Sequence, residues 1–386
     1  MNRGQRGEAS IRWGYIATAR VLGALGLKEL VRQRLLPRLM GVLHSSEDAA
    51  AFKAVEHHVE AEIARIVGSG KPVLIGPWLS EVGFELLYWI PLLHWIKARF
   101  GLEPERVTVV SRGGAKDWYA GLSGRYFDAF DCVPSDRYAA SNKSRWQTEL
   151  NQKQAVRSAL DDELIAWMRK QPGLVDCEVL HPSLMYQLFW PIFQSRLPAE
   201  TVLAHARYER MPRPDLPAEL AAALPGDYAA MRFYFRPSFP DTKANRAFVA
   251  KVVAQISAKM PVVLLNTGLS IDEHVDCPAD ALMTLERFVT PANNLDLQSR
   301  VIANARALIG TYGGLSYLAP FYGVPSVGFY SDDRDLKPAH RIVAEAASRA
   351  LKSRLIELHA DDLVVLDAVG LHEGSATRDE ACLARR

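Results

Sequence analysis

Residues 76–91 read GPWLSEVGFELLYWIP and set two carboxylates, Glu81 and Glu85, among Trp78, Phe84, Tyr88 and Trp89. A carboxylate among bulky aromatics is costly to bury unless a partner or a reaction uses it. Glu81 stands just ahead of a stretch with helical period, a place suited to a general base at the mouth of a cleft. Aromatic neighbours would raise its pKa towards a working range. The competing reading makes Ser80 a helix N-cap, with Glu81 and Glu85 complementing the helix dipole. Glu85 is read first as structural or substrate-binding and second as catalytic. Trp78, Ser80, Gly83 and Tyr88 complete a candidate binding surface, with the aromatic rings available to stack on a sugar.

The second constellation is ARALIGTYGGLSYLAPFYGVPSVGFYS, residues 305–331. Its pattern predicts a strand ending at Thr311, a turn at Gly313-Gly314, a helix beginning near Ser316, and a further strand. Two glycines let the backbone approach a ligand with no Cβ in the way. Free N–H groups at a helix start favour an anion, and in parallel sheets ligands gather at the carboxyl ends of strands.

These residues need a frame, and the pattern supplies one. From about residue 71 short apolar runs alternate with helical stretches: KPVLIGP, then SEVGFELLYWIPLLHWIKARFG ended by Gly101, then RVTVVSRGG. Residues 141–172 are helical in period and HPSLMYQLFWPIF is aromatic and Pro-broken. Residues 205–228 carry four prolines and read as a linker. The rhythm then restarts with DYAAMRFYF, KANRAFVAKVVAQISAKM and PVVLLNTG, and LKPAHRIVAEAASRALKSR closes it as a helix. Such alternation predicts an α/β fold of two doubly wound parallel-sheet domains facing across a cleft. The expected divisions are 1–68 as a basic helical arm, 69–205, a linker 206–228, 229–370, and a tail 371–386.

Both motif regions resemble the GT-B glycosyltransferases, particularly the ADP-heptose lipopolysaccharide heptosyltransferases. The match covers roughly 71–112 and 229–332. It consists of a strand, a loop with glycine and a Pro-bearing helix in the first half, and a strand, a glycine turn with a small hydroxyl residue, a helix and a G-x-P-x-V-like strand in the second. In that family the acid proposed as base directly follows the glycine, whereas here Phe84 follows Gly83. The resemblance implies an inverting, metal-independent glycosyltransferase that needs no cofactor beyond its nucleotide-diphosphate sugar donor. The leaving diphosphate would then meet cationic side chains. MRFYFRPSFPDTK offers Arg232, Arg236 and Lys243, with strand alternation directing both arginines to one side. A salt bridge to Asp241 is the plain alternative. Thr311, Gly313, Gly314 and Ser316 would complete the donor site. The implied acceptor is a cell-envelope glycan or glycolipid. Two other readings share the fold: a non-catalytic sugar-nucleotide or glycan-binding protein, and a transferase of another activated group such as pyruvyl.

Composition excludes several classes. A chain of 386 residues with 49% hydrophobic residues and a net charge of +2 is a globular protein without a nucleic-acid signature. Cys132, Cys177, Cys277 and Cys382 form no CxxC pair, which fits a reducing compartment and argues against a Cys-rich zinc site. No GxSxG, Walker A, HExxH or GxGxxG motif occurs. Asp333-Arg334-Asp335 spells D-x-D, but in a position read as loop or helix capping. His94, His181, His205, His274 and His340 are isolated along the chain and read as structural. Residues 1–40 hold eight Lys/Arg against Glu8 and Glu29, a net +6 in an amphipathic pattern. That arm is read equally as an anchor for an anionic membrane surface or as a helix packed on its own protein. The expected location is cytoplasmic, at the inner face of the membrane if the arm anchors there.

Overall fold

The computed structural model describes residues 46–362 apart from 150–153, 195, 270, 272–274, 277–282 and 337. The basic segment 1–40 and the tail 371–386 lie outside the described residues. The first lobe opens with helix α1 (Ser46–Gly68), whose Phe52, Val59, Ile63 and Ile66 fall on one face and are all buried. That face packs on the lobe itself, so residues 46–68 belong with it and not with an arm ending at 68. Strand β1 (Val73–Ile75) follows and then helix α2, made of Val82–Phe84, a wide π-type turn Glu85–Trp89, and Ile90–Phe100. Pro91 has no N–H to give the Leu87 carbonyl, and the Tyr208 hydroxyl donates to that oxygen instead at 3.0 Å. Gly101, at φ 71°, ends the helix as the sequence predicts.

Next come β2 (Val107–Ser111), β3 (Arg125–Asp128), α3 (Ser135–Glu149), α4 (Ala159–Met168), β4 (Glu178–Leu180), α5 (Ser183–Phe193) and α6 (Glu200–Leu203). The four strands are parallel in the order β3-β2-β1-β4. Every residue of β1 is buried, because helices cover both sheet faces: Val73 and Ile75 join one core cluster and Leu74 another.

The connector is irregular up to α7 (Ala218–Ala223). The second lobe then runs β5 (Ala229–Arg232), β6 (Tyr234–Phe235), α8 (Lys243–Ser257), β7 (Val262–Leu264), β8 (Val275–Asp276), β9 (Met283–Thr284), α9 (Asn294–Asn304), β10 (Ala307–Thr311), α10 (Leu315–Phe321), β11 (Ser326–Tyr330), α11 (Pro338–Ala350) and β12 (Leu355–His359). Six of these strands form a parallel sheet in the order β12-β11-β10-β5-β7-β9. DYAAMRFYF is not one strand: β5 stops at Arg232, and β6 pairs antiparallel with β8. The cause is Thr311, whose Oγ1 accepts from the Tyr234 N–H and donates to the Tyr234 carbonyl, both at 3.0 Å. Arg232 and Arg236 therefore do not share a strand face.

The lobes are joined by more than the connector. The Gly113 carbonyl accepts from the Leu295 and Asp296 N–H groups at 2.7 and 3.0 Å, so a first-lobe turn sits on the start of α9. Trp118 Nε1 donates to Ser299 Oγ at 2.8 Å. Helix α11 also returns to the first lobe, where His340 packs edge-on against Phe84 and Tyr88. Among the described residues no helix is long and apolar enough to cross a membrane.

Candidate functional site

In the first lobe the chain runs from β1 to β2 and β3 on one side, then to β4 on the other. In the second it runs from β5 to β7 and β9, then returns to β10, β11 and β12 on the opposite side. Strand order thus reverses between β1 and β4, and between β5 and β10. Loops at the carboxyl ends of such reversals diverge and leave a crevice for a ligand. The loops leaving β1, β5 and β10 carry Trp78, Ser80, Glu81, Arg236, Gly313 and Gly314.

The two glycine segments meet. A Cβ built on Gly83 would stand 3.4 Å from the Gly314 nitrogen and 3.5 Å from the Tyr317 ring. Glu81 is exposed at the boundary of α2, at φ −69° and ψ 144°, with no side-chain capping bond. Its charge acts on Arg236 of the opposite lobe. Burial of Arg236 would lower its pKa, yet Tyr234 and Glu81 outweigh that and raise it. The guanidinium lies against the second glycine turn: a Cβ on Gly313 would be 2.8 Å from Nη1. Gly313 has φ +93°, a conformation that also favours glycine. Arg236 Nε is buried with no hydrogen-bond partner among the described residues. A cationic group lodged in a crevice with unused donor capacity suits an incoming anion.

Arg232 is half-buried, 3.4 Å from Asn266 Oδ1 and over the Tyr234 ring. Lys243 is exposed at the start of α8, which Thr242 caps. The salt bridge to Asp241 exists, but Arg246 makes it, at 2.6 Å. The three expected cations thus surround the β5–α8 loop without sharing one geometry, and Arg236 alone is seated at the glycine turn.

Several expected ligand contacts belong to the scaffold. Trp78 is fully buried, stacked on Trp89 and Tyr186 at 5.8 and 6.4 Å between centroids, so it offers no stacking face to a sugar. Tyr88 is 1% exposed and its hydroxyl bonds His340 Nδ1. Ser80 does not cap α2: it is buried and bonded to the Tyr186 hydroxyl at 2.8 Å. Thr311 is committed to the Tyr234 backbone. Ser316 is buried, and its Oγ accepts from the Gly313 N–H at 3.0 Å, so that donor closes the turn. These small polar groups fold the loops; they do not reach the crevice.

Glu85 is 0% exposed and does not complement a helix dipole at the surface. Its Oε1 accepts from Ser111 Oγ at 2.7 Å and the Tyr119 hydroxyl at 2.6 Å, and its Oε2 pairs with Arg112 Nη1 at 3.0 Å. Burial pushes its carboxyl above the ordinary range, against the pull of Arg112 and the two hydroxyls. Arg112 Nη2 also donates to the Ser80 carbonyl, so the pair ties the residue before Glu81 to the carboxyl end of β2. Glu81 itself is exposed, while Trp78, Tyr88 and Trp89 of the same segment are buried in the core.

Tyr234, Arg112 and Gln154 carry no role in the sequence reading, and His340 carries only a structural one. Tyr234 places its hydroxyl at the glycine turn, 3.1 Å from where a Gly314 Cβ would be. His340 bonds Tyr88 across the lobes. Arg112 had a readable signal, a lone cation immediately after an apolar strand. Gln154 is fully buried and clamps the loop after β1: Oε1 accepts from the Leu79 N–H at 2.8 Å, and Nε2 donates to the Pro77 carbonyl at 2.7 Å. Phe84, at the place of the expected acid, packs on Tyr88, Tyr186 and Phe193. Asp333 lies in a short turn capped by Asp332, whose carboxyl Arg334 draws down to about 2.

No protein-family model matches the sequence, and no curated protein matches it. Similar solved structures include a glycosyl transferase family 9 protein from Veillonella parvula, at 11% identity, 78% of this chain, 88% of that one and TM-score 0.42. The E. coli heptosyltransferase WaaC with ADP is 15% identical over 77% of this chain and 98% of that one, with TM-score 0.40. A UDP-N-acetylglucosamine 2-epimerase from Listeria monocytogenes is 12% identical over 80% and 89%, with TM-score 0.36. At these values no residue role or substrate carries over, and the named activities differ, so the chemistry has to be argued from the site.

Proposed function

We propose that this protein is a glycosyltransferase that moves a sugar from a nucleotide-diphosphate donor to a hydroxyl of a glycan or glycolipid. One arrangement carries the reading: Gly83, two residues after the exposed Glu81, meets the Gly313-Gly314 turn of the other lobe, and Arg236 lies against that turn. An acceptor hydroxyl would attack the anomeric carbon while Glu81 takes its proton. The bond from that carbon to the diphosphate breaks from the opposite side, which inverts the centre. Arg236 meets the charge on the departing diphosphate, with Arg232 and Lys243 nearby, in place of a metal ion. Resemblance of the two motif regions to the heptosyltransferases supports a cell-envelope acceptor, with the basic segment 1–40 holding the enzyme at an anionic membrane surface.

Loss of a positioned general base costs about 10²–10⁴-fold in rate. Glu81→Gln should lower sugar transfer by that factor and leave nucleotide-sugar affinity within about threefold of wild type, a limit set well below the expected loss. Transfer within a few-fold of wild type would overturn the assignment of Glu81. If neither protein transfers or hydrolyses any donor, yet both bind one equally, the non-catalytic binding reading stands instead.

A further inference from the structure

Outside the crevice, α1 and the start of the connector bring together Glu56, Glu60 and His205. Each offers one ligand atom, and all three atoms lie within 4.8 Å of one another. Glu56 and Glu60 are four residues apart on α1 and so project from one face. His205 is 4% exposed and follows α6, where the chain leaves the first lobe. Its ring is held between Phe52 and Trp95, with centroids 6.3 and 5.0 Å away.

The two imidazole nitrogens have different tasks. Nδ1 lies 3.1 Å from the Thr201 carbonyl, which can only accept, so Nδ1 carries a proton. Nε2 is then the nitrogen available for coordination, and it faces Glu56 Oε1 at 2.9 Å and Glu60 Oε1 at 3.9 Å. A metal-ligating histidine commonly donates its other N–H to a backbone carbonyl in this way, which fixes both tautomer and ring. Ligand atoms about 2.0–2.1 Å from a tetrahedral ion sit about 3.3–3.4 Å apart, and the two observed separations straddle that value.

We propose that Glu56, Glu60 and His205 bind a divalent transition-metal ion of the zinc class, with its remaining position open to water. Three N/O donors with one imidazole suit such an ion better than magnesium, which prefers an all-oxygen shell. The ion joins α1 to the point where the chain departs for the second lobe, and so has a structural role there. A plain ion pair between a charged His205 and Glu56 would account for the shorter contact. It gives Glu60, at 3.9 Å, almost nothing to do.

Glu60 therefore separates the two. Full-length protein stripped with EDTA is titrated with zinc chloride by calorimetry, and its melting temperature is followed with zinc and with magnesium. The expected result is one zinc bound per chain at this site, a melting temperature that rises with zinc, and at least tenfold tighter binding of zinc than of magnesium. Glu60→Gln should weaken zinc binding at least tenfold while leaving the metal-free melting temperature unchanged. His58→Gln, on the exposed side of α1, should bind as wild type does. Zinc binding that Glu60→Gln leaves intact, no zinc-dependent rise in wild type, or equal binding of magnesium would each overturn the proposal.

Discussion

Removing the Glu85 carboxylate tests how the chain fixes the loop that carries Glu81. Arg112 is 3% exposed, so in Glu85→Ala a buried guanidinium loses its Glu85 partner, and Ser111 and Tyr119 lose the oxygen they share. Breaking a buried ion pair by deleting one partner costs about 3–5 kcal/mol. That is a large fraction of a total stability of roughly 5–15 kcal/mol. At about 2–4 °C per kcal/mol the first unfolding transition should fall by roughly 6–20 °C. The double variant Glu85→Met/Arg112→Met removes both charges together and should recover at least half of that loss, because apolar replacement of a buried pair is often neutral. Differential scanning calorimetry of wild type, Glu85→Ala, the single variants Glu85→Met and Arg112→Met, and the double variant measures the cycle. A fall of less than about 3 °C for Glu85→Ala, or a double variant losing as much as the two singles together, would refute the reasoning.

Three further outcomes follow from the same geometry. Thr311→Val removes the hydroxyl that both the N–H and the carbonyl of Tyr234 bond, which should cost about 1–3 kcal/mol in urea unfolding; no loss would mean the turn holds itself. Gly313→Ala puts a Cβ 2.8 Å from Arg236 Nη1 at a left-handed φ, so donor affinity measured by calorimetry should drop at least tenfold with the fold retained by circular dichroism; unchanged affinity would detach Arg236 from the glycine turn. Glu85 holds its proton more firmly when folded than when unfolded, so its contribution is present below the ordinary carboxylate value and is lost as pH rises through the raised folded value. Wild type should therefore gain stability relative to Glu85→Gln as pH is lowered from neutral into that range, and the opposite trend in urea unfolding would reverse the sign.

The sheets and their order of helices were legible because their signals are local. β1 as PVLI, β10 ending in two glycines, and the Gly101 stop of α2 each follow from apolar period and glycine placement. The approach of Gly83 to Gly314 is a long-range contact that no local pattern in the sequence shows. Trp78, Tyr88, Ser80, Thr311 and Ser316 have the residue types that contact ligands, but the same types also pack cores and close turns. Which they do depends on partners far along the chain: Tyr186 for Ser80 and His340 for Tyr88. Strand alternation failed at Arg232 and Arg236 because Thr311 draws Tyr234 out of the ladder, a tertiary effect with no local trace. Glu85 is held by Arg112, 27 residues further along the chain, a partner that no local spacing indicates.

Arg236, lying against the Gly313-Gly314 turn, is assigned here to the diphosphate of a nucleotide sugar. Calorimetric titration of wild type and Arg236→Ala with ADP, UDP, GDP and CMP in turn tests it most directly. At least one nucleoside diphosphate should bind wild type, with a preference over CMP, and Arg236→Ala should weaken it at least tenfold. Binding of none of the four, or equal binding to both proteins, would contradict it.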